Sequence, residues 1–355
     1  MCHLMILEDN TNPFLTRIKR AGTICVLALF IVTSIQGCAN NQTSHDVDWV
    51  EVTGSAMGTS YQIKLSGIER ERTVTIIDSV LALVDKSLST YDSTSLISRF
   101  NDMDSGFLYH WHPDDIYYNV FVEVWDLSRQ YYYITSGAFD PSASPLFQVW
   151  GFAEKERGDI PSKIEIDSLL TIVGFDSINY PSYSKAVRGG SLNFNAIAKG
   201  YGVDQLASAL RHNGAENVMV EIGGEVVAIG LSPGGESWKI GINKPVEGAS
   251  PKDFVDIVTL TNEAMATSGN YRNHFTYKGQ TYSHTIDPRT GYPVVSDLKS
   301  ATVIAETCAV ADALATACMV LGEEKAIKLI ESLPSVRAVL IVQRQDLLEK
   351  IRVGF

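Results

Sequence analysis

The sequence predicts one α+β domain, because helix and strand patterns are mixed along the chain without the regular strand–helix–strand alternation of parallel α/β folds. Apolar residues recur at helical spacing over 76–88, whereas apolar and polar residues alternate over 59–65. Several short strand patterns then follow one another over 218–260. No stretch after Asp48 has the composition of an interdomain linker, so we expect a single compact unit over residues 50–355.

Local start and stop signals place the individual elements. Pro113-Asp114-Asp115 opens a helix, with the proline and the acids at its positive end. Asn213-Gly214 ends another helix. Helices are expected over 76–88, from 113 onward, and over 196–212, 308–320 and 323–331. Strands are expected over 59–65, 218–222, 226–229, 238–242, 255–260, 301–304 and 338–342, followed by a short terminal strand.

The composition is that of a globular protein and argues against one class of partner. The chain has 355 residues, of which 45% are hydrophobic and 20% are charged, enough to build a sizeable core. Its 29 basic and 41 acidic residues give a net charge of −12. Such a charge repels a phosphate backbone, so we expect no nucleic-acid partner. A single phosphate can still be held at a helix N-terminus or by a metal ion.

The N-terminal segment predicts export and lipidation. Basic residues within 17–20 precede an apolar run over 21–35, which suits a signal-peptide core and is short for a membrane-spanning helix. The segment ends at Gly37-Cys38, which resembles the bacterial lipobox. We therefore expect a lipoprotein signal peptide over 1–37 and a polar tether over 38–49, anchored through lipid on Cys38. A plain secretory signal or a membrane anchor is the alternative.

Two segments are candidates for binding a phosphate or another polar ligand. Residues 136–142 form either an ordinary turn or a loop whose N–H groups and carboxylate face a ligand. Residues 193–200 lead from a strand end into a helix start, with Asn193 as a capping residue and Lys199 near the positive end of the helix. This segment is either a phosphate site or a capped helix with a solvated lysine. The Gly223-Gly224 turn predicts only a hairpin.

Two further segments carry groups suited to proton transfer and metal binding. His284 and Asp287 are titratable and close in sequence, and are either a catalytic pair or part of a structural turn. Asp312 and Thr316 are four residues apart on a predicted helix and share a face. A carboxylate and a hydroxyl are oxygen ligands suited to Mg²⁺. The alternative is a tightly packed helix whose threonine bonds back to the preceding turn.

The order of these segments resembles the FAD:protein FMN transferase family, also called the ApbE or thiamine-biosynthesis lipoprotein family. The resemblance covers about residues 50–345, and a lipoprotein signal is common in that family. It implies one catalytic domain of the ApbE type, related to the T-fold. The segments that carry the resemblance are Met57-Gly58-Thr59, residues 89–95, residues 137–141, residues 196–204, Gly223-Gly224, residues 283–288 and residues 311–316.

The resemblance assigns roles to the matching positions. It implies that the side chains of Asp312 and Thr316, with the carbonyls of Ala196 and Ala315, bind Mg²⁺. The family commonly has a second acid where Ala315 stands, so the metal site has one carboxylate fewer. Residues implied to line the FAD site are Met57, Tyr91, Ala138, Phe139, Asp140, Asn193, Lys199 and Ile286. Asn193 stands where the family more often has an acid, and an amide can still accept and donate hydrogen bonds.

The function implied is Mg²⁺-dependent transfer of FMN from FAD to a threonine hydroxyl of a target flavoprotein, with release of AMP. His284 is our candidate for the proton acceptor, with Asp287 orienting it. Acceptors in the family are flavoprotein subunits of membrane respiratory complexes. The export signal predicts a periplasm-facing enzyme in the bacterial cell envelope, in the same compartment as its acceptor. A Mg²⁺-dependent FAD pyrophosphatase and a periplasmic FAD-binding lipoprotein without catalysis are the alternatives.

Overall fold

Helices and strands are mixed throughout the part of the chain that the computed structural model describes, which confirms the α+β class. The described residues are 48–103, 114–151, 160–179, 184–185, 189–246, 248–250, 252–270, 274–277, 280–283 and 285–355. Residues Asp46 to Phe355 form one compact unit. The predicted signal peptide and Cys38 lie outside the described residues. Within those residues, no helix has the length and hydropathy needed to cross a membrane.

The elements are numbered in chain order. The helices of the described part are α1 (Arg70–Leu88), α2 (Leu96–Asp102), α3 (Ile116–Ile134), α4 (Ser144–Val149), α5 (Lys163–Leu170), α6 (Ala198–His212), α7 (Cys308–Leu321) and α8 (Glu323–Glu331). Its strands are β1 (Trp49–Ala56), β2 (Thr59–Ser66), β3 (Ile178–Asn179), β4 (Ser184–Lys185), β5 (Asn217–Ile222), β6 (Glu225–Ile229), β7 (Trp238–Asn243), β8 (Phe254–Leu260), β9 (Glu263–Gly269), β10 (His274–Tyr277), β11 (Gln280–Ser283), β12 (Ile286–Asp287), β13 (Tyr292–Pro293), β14 (Leu298–Ala305), β15 (Arg337–Arg344) and β16 (Leu347–Val353).

Eight strands form one antiparallel sheet in the order β1-β2-β5-β6-β9-β14-β15-β16. Side chains alternate between its two faces, as strand geometry requires. On β6, Val227 belongs to the core shared with α1, α6, α7 and α8, whereas Val226 and Ala228 pack under the β7–β8 hairpin. The sheet is therefore covered on both faces, by helices on one and by a hairpin on the other.

Helix α7 is the most deeply buried helix of the described part and is packed on two sides. Ala311, Leu314 and Cys318 join the core against the sheet. Ala313 and Ala317 join a second core built with α1, α2 and α3. The alanine-rich sequence lets both neighbours approach closely, because small side chains keep the distance between backbones short. A polar residue on this helix is consequently held in a fixed, largely dry position.

Helices α6 and α7 approach each other closely at Gly200. A Cβ atom at this position would lie 2.4 Å from the Cys308 carbonyl oxygen. Asp204, one turn further along α6, accepts hydrogen bonds from the N–H groups of Cys308 at 2.8 Å and Ala309 at 2.9 Å. These N–H groups have no partner within α7, because they belong to its first turn. The aspartate therefore fixes the start of α7 against α6.

Of the elements that differ from the sequence expectations, three have a clear local reason. The helix expected from 113 begins at Ile116, because Asp115 caps it through the N–H groups of the next turn. The helix expected from 196 begins at Ala198, since the Gly200 N–H donates to Asp312 rather than to the preceding turn. Strand β9 was not expected, because its small residues do not alternate as a strand pattern does.

Replacing Gly200 by alanine should destabilise the chain, because the new methyl group cannot fit beside the α7 backbone. We predict a loss of about 1–3 kcal/mol in the free energy of unfolding, measured by urea denaturation without FAD or Mg²⁺. Gly234→Ala is the control, since its Cβ would have no neighbour closer than 3.9 Å. Equal stability of the two variants would contradict the close approach of α6 and α7.

Candidate active site

A cluster of charged side chains lies where α6, α7 and β6 meet. Lys199, in the first turn of α6, donates a hydrogen bond from Nζ to Oε1 of Glu225, the first residue of β6. Glu225 is 1% exposed and Asp312 is 3% exposed, whereas the Lys199 side chain is 31% exposed. The backbone N–H of Gly200 donates to Asp312 Oδ2 at 3.2 Å. The cluster thus joins two buried carboxylates to one partly accessible ammonium group.

Burial and mutual interaction shift the pKa values of all three groups. Burial raises the pKa of the Asp312 carboxyl group, and the nearby Lys199 charge opposes the rise. Burial, together with the negative charge of Asp312, raises the pKa of Glu225. Burial alone would lower the pKa of Lys199, but attraction to Asp312 and Glu225 outweighs it and the pKa is raised. The lysine therefore stays charged, while the carboxylates lack full compensation.

The residues predicted to bind a metal fit a divalent cation. Because the Gly200 N–H is engaged by Asp312, the Ala196 carbonyl accepts no hydrogen bond from the described residues. Thr316 is half-buried, and its hydroxyl lies 3.2 Å from Ser268 Oγ. Together these residues offer one carboxylate, one hydroxyl and one free carbonyl, which are oxygen donors suited to Mg²⁺. The Ala315 side chain is a methyl group with no ligand atom, so this residue can contribute only through its carbonyl.

The loop over residues 137–141 directs its apolar side chains inward. The N–H groups of Gly137, Ala138 and Phe139 donate to Tyr132 and Thr135, so they are not free to bind a ligand. Ala138 and Phe139 are each 1% exposed and belong to the helical core. Asp140 Oδ1 accepts hydrogen bonds from the N–H of Ser142 at 2.8 Å and from its hydroxyl at 2.6 Å. The Asn193 N–H donates to the Pro141 carbonyl at 2.8 Å, which places two predicted FAD-binding segments side by side.

Met57 and Tyr91 differ in how the structure places them. Met57 lies in the β1–β2 turn at a φ of 51°, and its Sδ would be 3.2 Å from a Cβ on Gly202 of α6. Met57 therefore packs against α6, three residues beyond Lys199. The Tyr91 side chain is 89% exposed, so the protein leaves its ring accessible. Its neighbour Asp92 pairs with Lys86 at 2.7 Å, which holds the pKa of Asp92 at about 2 and fixes the loop.

Of the predicted catalytic pair, the structure describes Asp287 but not His284. His284 lies outside the described residues, so its role remains a prediction. Asp287 accepts hydrogen bonds from Arg289 Nε at 2.8 Å and Nη2 at 2.7 Å. The Arg289 side chain also passes over Gly137, where a Cβ would lie 3.5 Å from Arg289 Cγ, which joins this turn to the 137–141 loop. Ile286 is 1% exposed, so it can meet a ligand only through its backbone.

Sequence reasoning missed two residues of this region. Glu225 follows the Gly pair at the start of an otherwise apolar strand, and the hairpin alone gave it no role. Asp204 belongs to the 196–204 segment, but its contact with α7 depends on how the helices pack. A lone acid at the start of a buried strand is the signal that identifies Glu225, because a carboxylate is rarely buried without a partner.

Comparison with known proteins gives consistent matches over most of the chain. The ApbE family model matches residues 57–340. An FAD:protein FMN transferase of Vibrio cholerae is 35% identical over 328 residues, covering 90% of this chain and 94% of that protein. The enzyme of the same name from Escherichia coli K12 is 32% identical over 312 residues, covering 84% of this chain and 86% of that protein.

Solved structures agree with these matches. The flavin transferase ApbE from Vibrio cholerae has a TM-score of 0.75 and 32% identity, covering 87% of this chain and 98% of that one. The apo form of the Pseudomonas stutzeri flavinyl transferase ApbE has a TM-score of 0.75 and 33% identity, covering 87% of this chain and 95% of that one. The fold is thus shared with flavin transferases.

The Asp204 contact predicts a pH dependence of stability. Burial raises the pKa of Asp204 from 3.8 to about 6 in the folded chain, despite the hydrogen bonds from α7. As the pH rises, Asp204 loses its proton at a lower pH in the unfolded chain than in the folded chain. The stabilisation that Asp204 contributes is therefore fully present below pH 3.8 and is lost by about pH 6. Relative to Asp204→Asn, the wild-type unfolding free energy should fall by up to about 3 kcal/mol across this window. Urea denaturation at several pH values measures it, and parallel profiles would contradict it.

Proposed function

Since the chain belongs to the ApbE family and is a flavinyltransferase, we propose that it uses Mg²⁺ to move FMN from FAD onto a threonine hydroxyl of an acceptor flavoprotein. The observation that supports the Mg²⁺ part is the buried Asp312 carboxylate, which accepts the Gly200 N–H and leaves the Ala196 carbonyl without a donor among the described residues. Buried carboxylates are stable when they are paired or bind metal ions. Lys199 forms its ion pair with Glu225, so its single positive charge does not neutralise both Glu225 and Asp312.

The reaction replaces the phosphoanhydride bond between the FMN and AMP phosphates by a phosphoester bond to threonine. The threonine oxygen attacks the FMN phosphorus, the bond to the AMP phosphate breaks, and AMP leaves with the negative charge of that bond. When bound, Mg²⁺ offsets negative charge on the pyrophosphate. The Lys199 ammonium group can donate hydrogen bonds to the same phosphates, because one side of the residue remains accessible. Asp312 would therefore bind the cation, and Lys199 would bind the anion.

The remaining predicted residues bind and orient FAD. The 137–141 loop and Asn193 are adjacent, and would offer to the nucleotide the Asn193 amide and the backbone groups of the loop that are not already hydrogen-bonded. Met57 lies against α6 at the edge of the Lys199 segment. The exposed Tyr91 ring offers an aromatic face for an isoalloxazine or adenine ring. These contacts would hold the FMN phosphorus in place for attack by the acceptor hydroxyl.

The proton of the threonine hydroxyl needs an acceptor, and we assign it to His284. Histidine is suited to this step because its ordinary pKa lies near neutral pH. In the described residues, Asp287 is bound by Arg289, and the same arginine contacts the 137–141 loop. Asp287 would therefore act on His284 while bound to Arg289, and its ion pair fixes the turn that follows the histidine.

We further propose that the chain acts at the periplasmic side of the cell envelope, anchored through lipid on Cys38. The basic and apolar N-terminal segment and the Gly37-Cys38 sequence support this location. The acceptors would then be flavoprotein subunits of membrane respiratory complexes in the same compartment. Labelling of the chain with a palmitate analogue, lost in Cys38→Ser, tests the anchor.

Metal dependence can be tested by mass spectrometry of an acceptor domain that contains a candidate threonine. The chain from Ala39 onward, with FAD and Mg²⁺, should add FMN to the acceptor, and EDTA should abolish the reaction. Asp312→Ala should lower the rate by at least about 100-fold, because it removes the only carboxylate among the proposed metal ligands. Asp167→Ala, which changes an exposed carboxylate, is the control.

Other outcomes of this experiment identify the alternatives. AMP and free FMN with an unmodified acceptor would indicate a pyrophosphatase. Intact FAD would indicate a binding protein. Full activity in EDTA would contradict the magnesium proposal.

The role of His284 predicts separate effects on binding and transfer. His284→Ala should keep its affinity for FAD, since the imidazole acts on the acceptor hydroxyl. Its transfer rate should fall by about 100-fold or more, because general base catalysis typically contributes such a factor. Fluorescence titration measures FAD binding, and single-turnover kinetics measures transfer. A His284→Ala enzyme that binds FAD and transfers FMN at the normal rate would contradict the assignment of His284 as the proton acceptor.

A further inference from the structure

Glu225 occupies a rigid position beside Lys199. It follows the Gly223-Gly224 turn, in which the Gly223 N–H donates to the Ser60 carbonyl at 3.1 Å and the Gly224 N–H donates to Glu221 at 2.7 Å. A Cβ on Gly223 would lie 2.7 Å from the Thr59 side chain, so the turn is packed tightly against β2. The turn therefore fixes where the Glu225 carboxylate begins.

The burial of Glu225 is costly for a purely structural residue. Its Oε1 accepts from Lys199, but its Oε2 is buried without a hydrogen-bond partner among the described residues. Taking a carboxylate out of water costs several kcal/mol, and an apolar residue of similar size often serves stability as well or better. The ion pair with Lys199 offsets only part of this cost. The position thus points to a role of the carboxylate in the site.

Lys199 has two acidic neighbours, Glu225 and Asp312, and is paired with Glu225. Lys199 interacts electrostatically with both Asp312 and Glu225, yet its only ion pair among the described residues is with Glu225. The lysine side chain is long and flexible, so without Glu225 its ammonium group could turn to Asp312. A direct pair with Asp312 would compete with a cation for that carboxylate.

We infer that Glu225 is a positioning residue, which holds the Lys199 ammonium group away from Asp312 and so keeps Asp312 available for the divalent cation. Held in this way, Lys199 retains two further N–H donors for the phosphates of FAD. This inference rests on the proposed roles of Lys199 and Asp312. It assigns to the buried strand start a function that the hairpin alone does not explain.

The test is a double-mutant cycle in the whole chain, solubilised in detergent. Glu225→Gln keeps the size of the side chain and one acceptor oxygen but removes its charge. Mn²⁺ accepts the same oxygen ligands as Mg²⁺, and the paramagnetic resonance signal of the free ion measures its binding without FAD. We expect Glu225→Gln to weaken Mn²⁺ binding by about tenfold, because the released ammonium group competes for Asp312.

The second mutation distinguishes positioning from a structural effect. In Glu225→Gln/Lys199→Gln no ammonium group remains, so Mn²⁺ affinity should return to that of Lys199→Gln alone. A merely structural loss would persist in the double variant and would overturn the inference, as would unchanged Mn²⁺ affinity in Glu225→Gln. Glu263→Gln, which breaks the ion pair with Arg337 beyond the other end of β6, should bind Mn²⁺ as the wild type does.

Two further measurements keep the result interpretable. Thermal unfolding shows whether each variant is folded. If Glu225→Gln does not fold, Glu225→Asp, which keeps the charge, takes its place. The shorter aspartate side chain reaches Lys199 less well and should weaken Mn²⁺ binding in the same direction, and normal affinity would contradict the inference. If Asp312→Ala binds Mn²⁺ normally or Lys199→Gln binds FAD normally, the proposed roles of those residues fail instead.

Discussion

The close contact between α6 and α7 is the constraint on which the candidate site depends. Gly200 lets the two backbones meet, and its N–H group bonds Asp312 instead of continuing the helical ladder. Because the Gly200 N–H bonds Asp312, the Ala196 carbonyl has no hydrogen-bond donor among the described residues. A single glycine thus binds the carboxylate and leaves a carbonyl four residues earlier free to accept, and Asp204 holds the same helix pair together one turn away.

The charges around this contact are unbalanced in the absence of ligands. Glu225 and Asp312 share one lysine, Asp204 adds a negative charge near Asp312, and burial raises the pKa of each of the three acids. Such an arrangement costs stability in the free protein. A divalent cation would reduce that cost, whereas the lysine and the helix start favour phosphate groups. The same residues can therefore bind a metal ion and an anionic nucleotide together, although the chain is acidic overall.

The sequence was sufficient to predict the class of fold and the residues with obvious chemistry. Asp312 and Thr316 could be placed on one helix face because their spacing is helical. Lys199 could be placed near a helix start because the capping signals were clear. Ordered motifs then connected these positions to one family, and the matching structures confirm the fold.

The remaining features depend on tertiary packing and left little sequence signal. Strand β9 lies at the centre of the sheet, but its small residues suit the approach of α7 and show no strand alternation. Ala138, Phe139 and Ile286 were predicted to line the FAD site, and their side chains are in the core. Motif matching cannot tell a backbone contact from a side-chain contact. Glu225 was missed because its partner is 26 residues away in sequence.

The most direct test of this account is a crystal structure of the chain with FAD and Mn²⁺, measured at the manganese absorption edge. Our account predicts an anomalous difference peak at about 2.0–2.3 Å from Asp312, Thr316 Oγ1 and the Ala196 carbonyl oxygen. A peak at that position would show that the α6–α7 contact builds the metal site. Bound FAD with no peak there, or with manganese held elsewhere, would contradict the central claim.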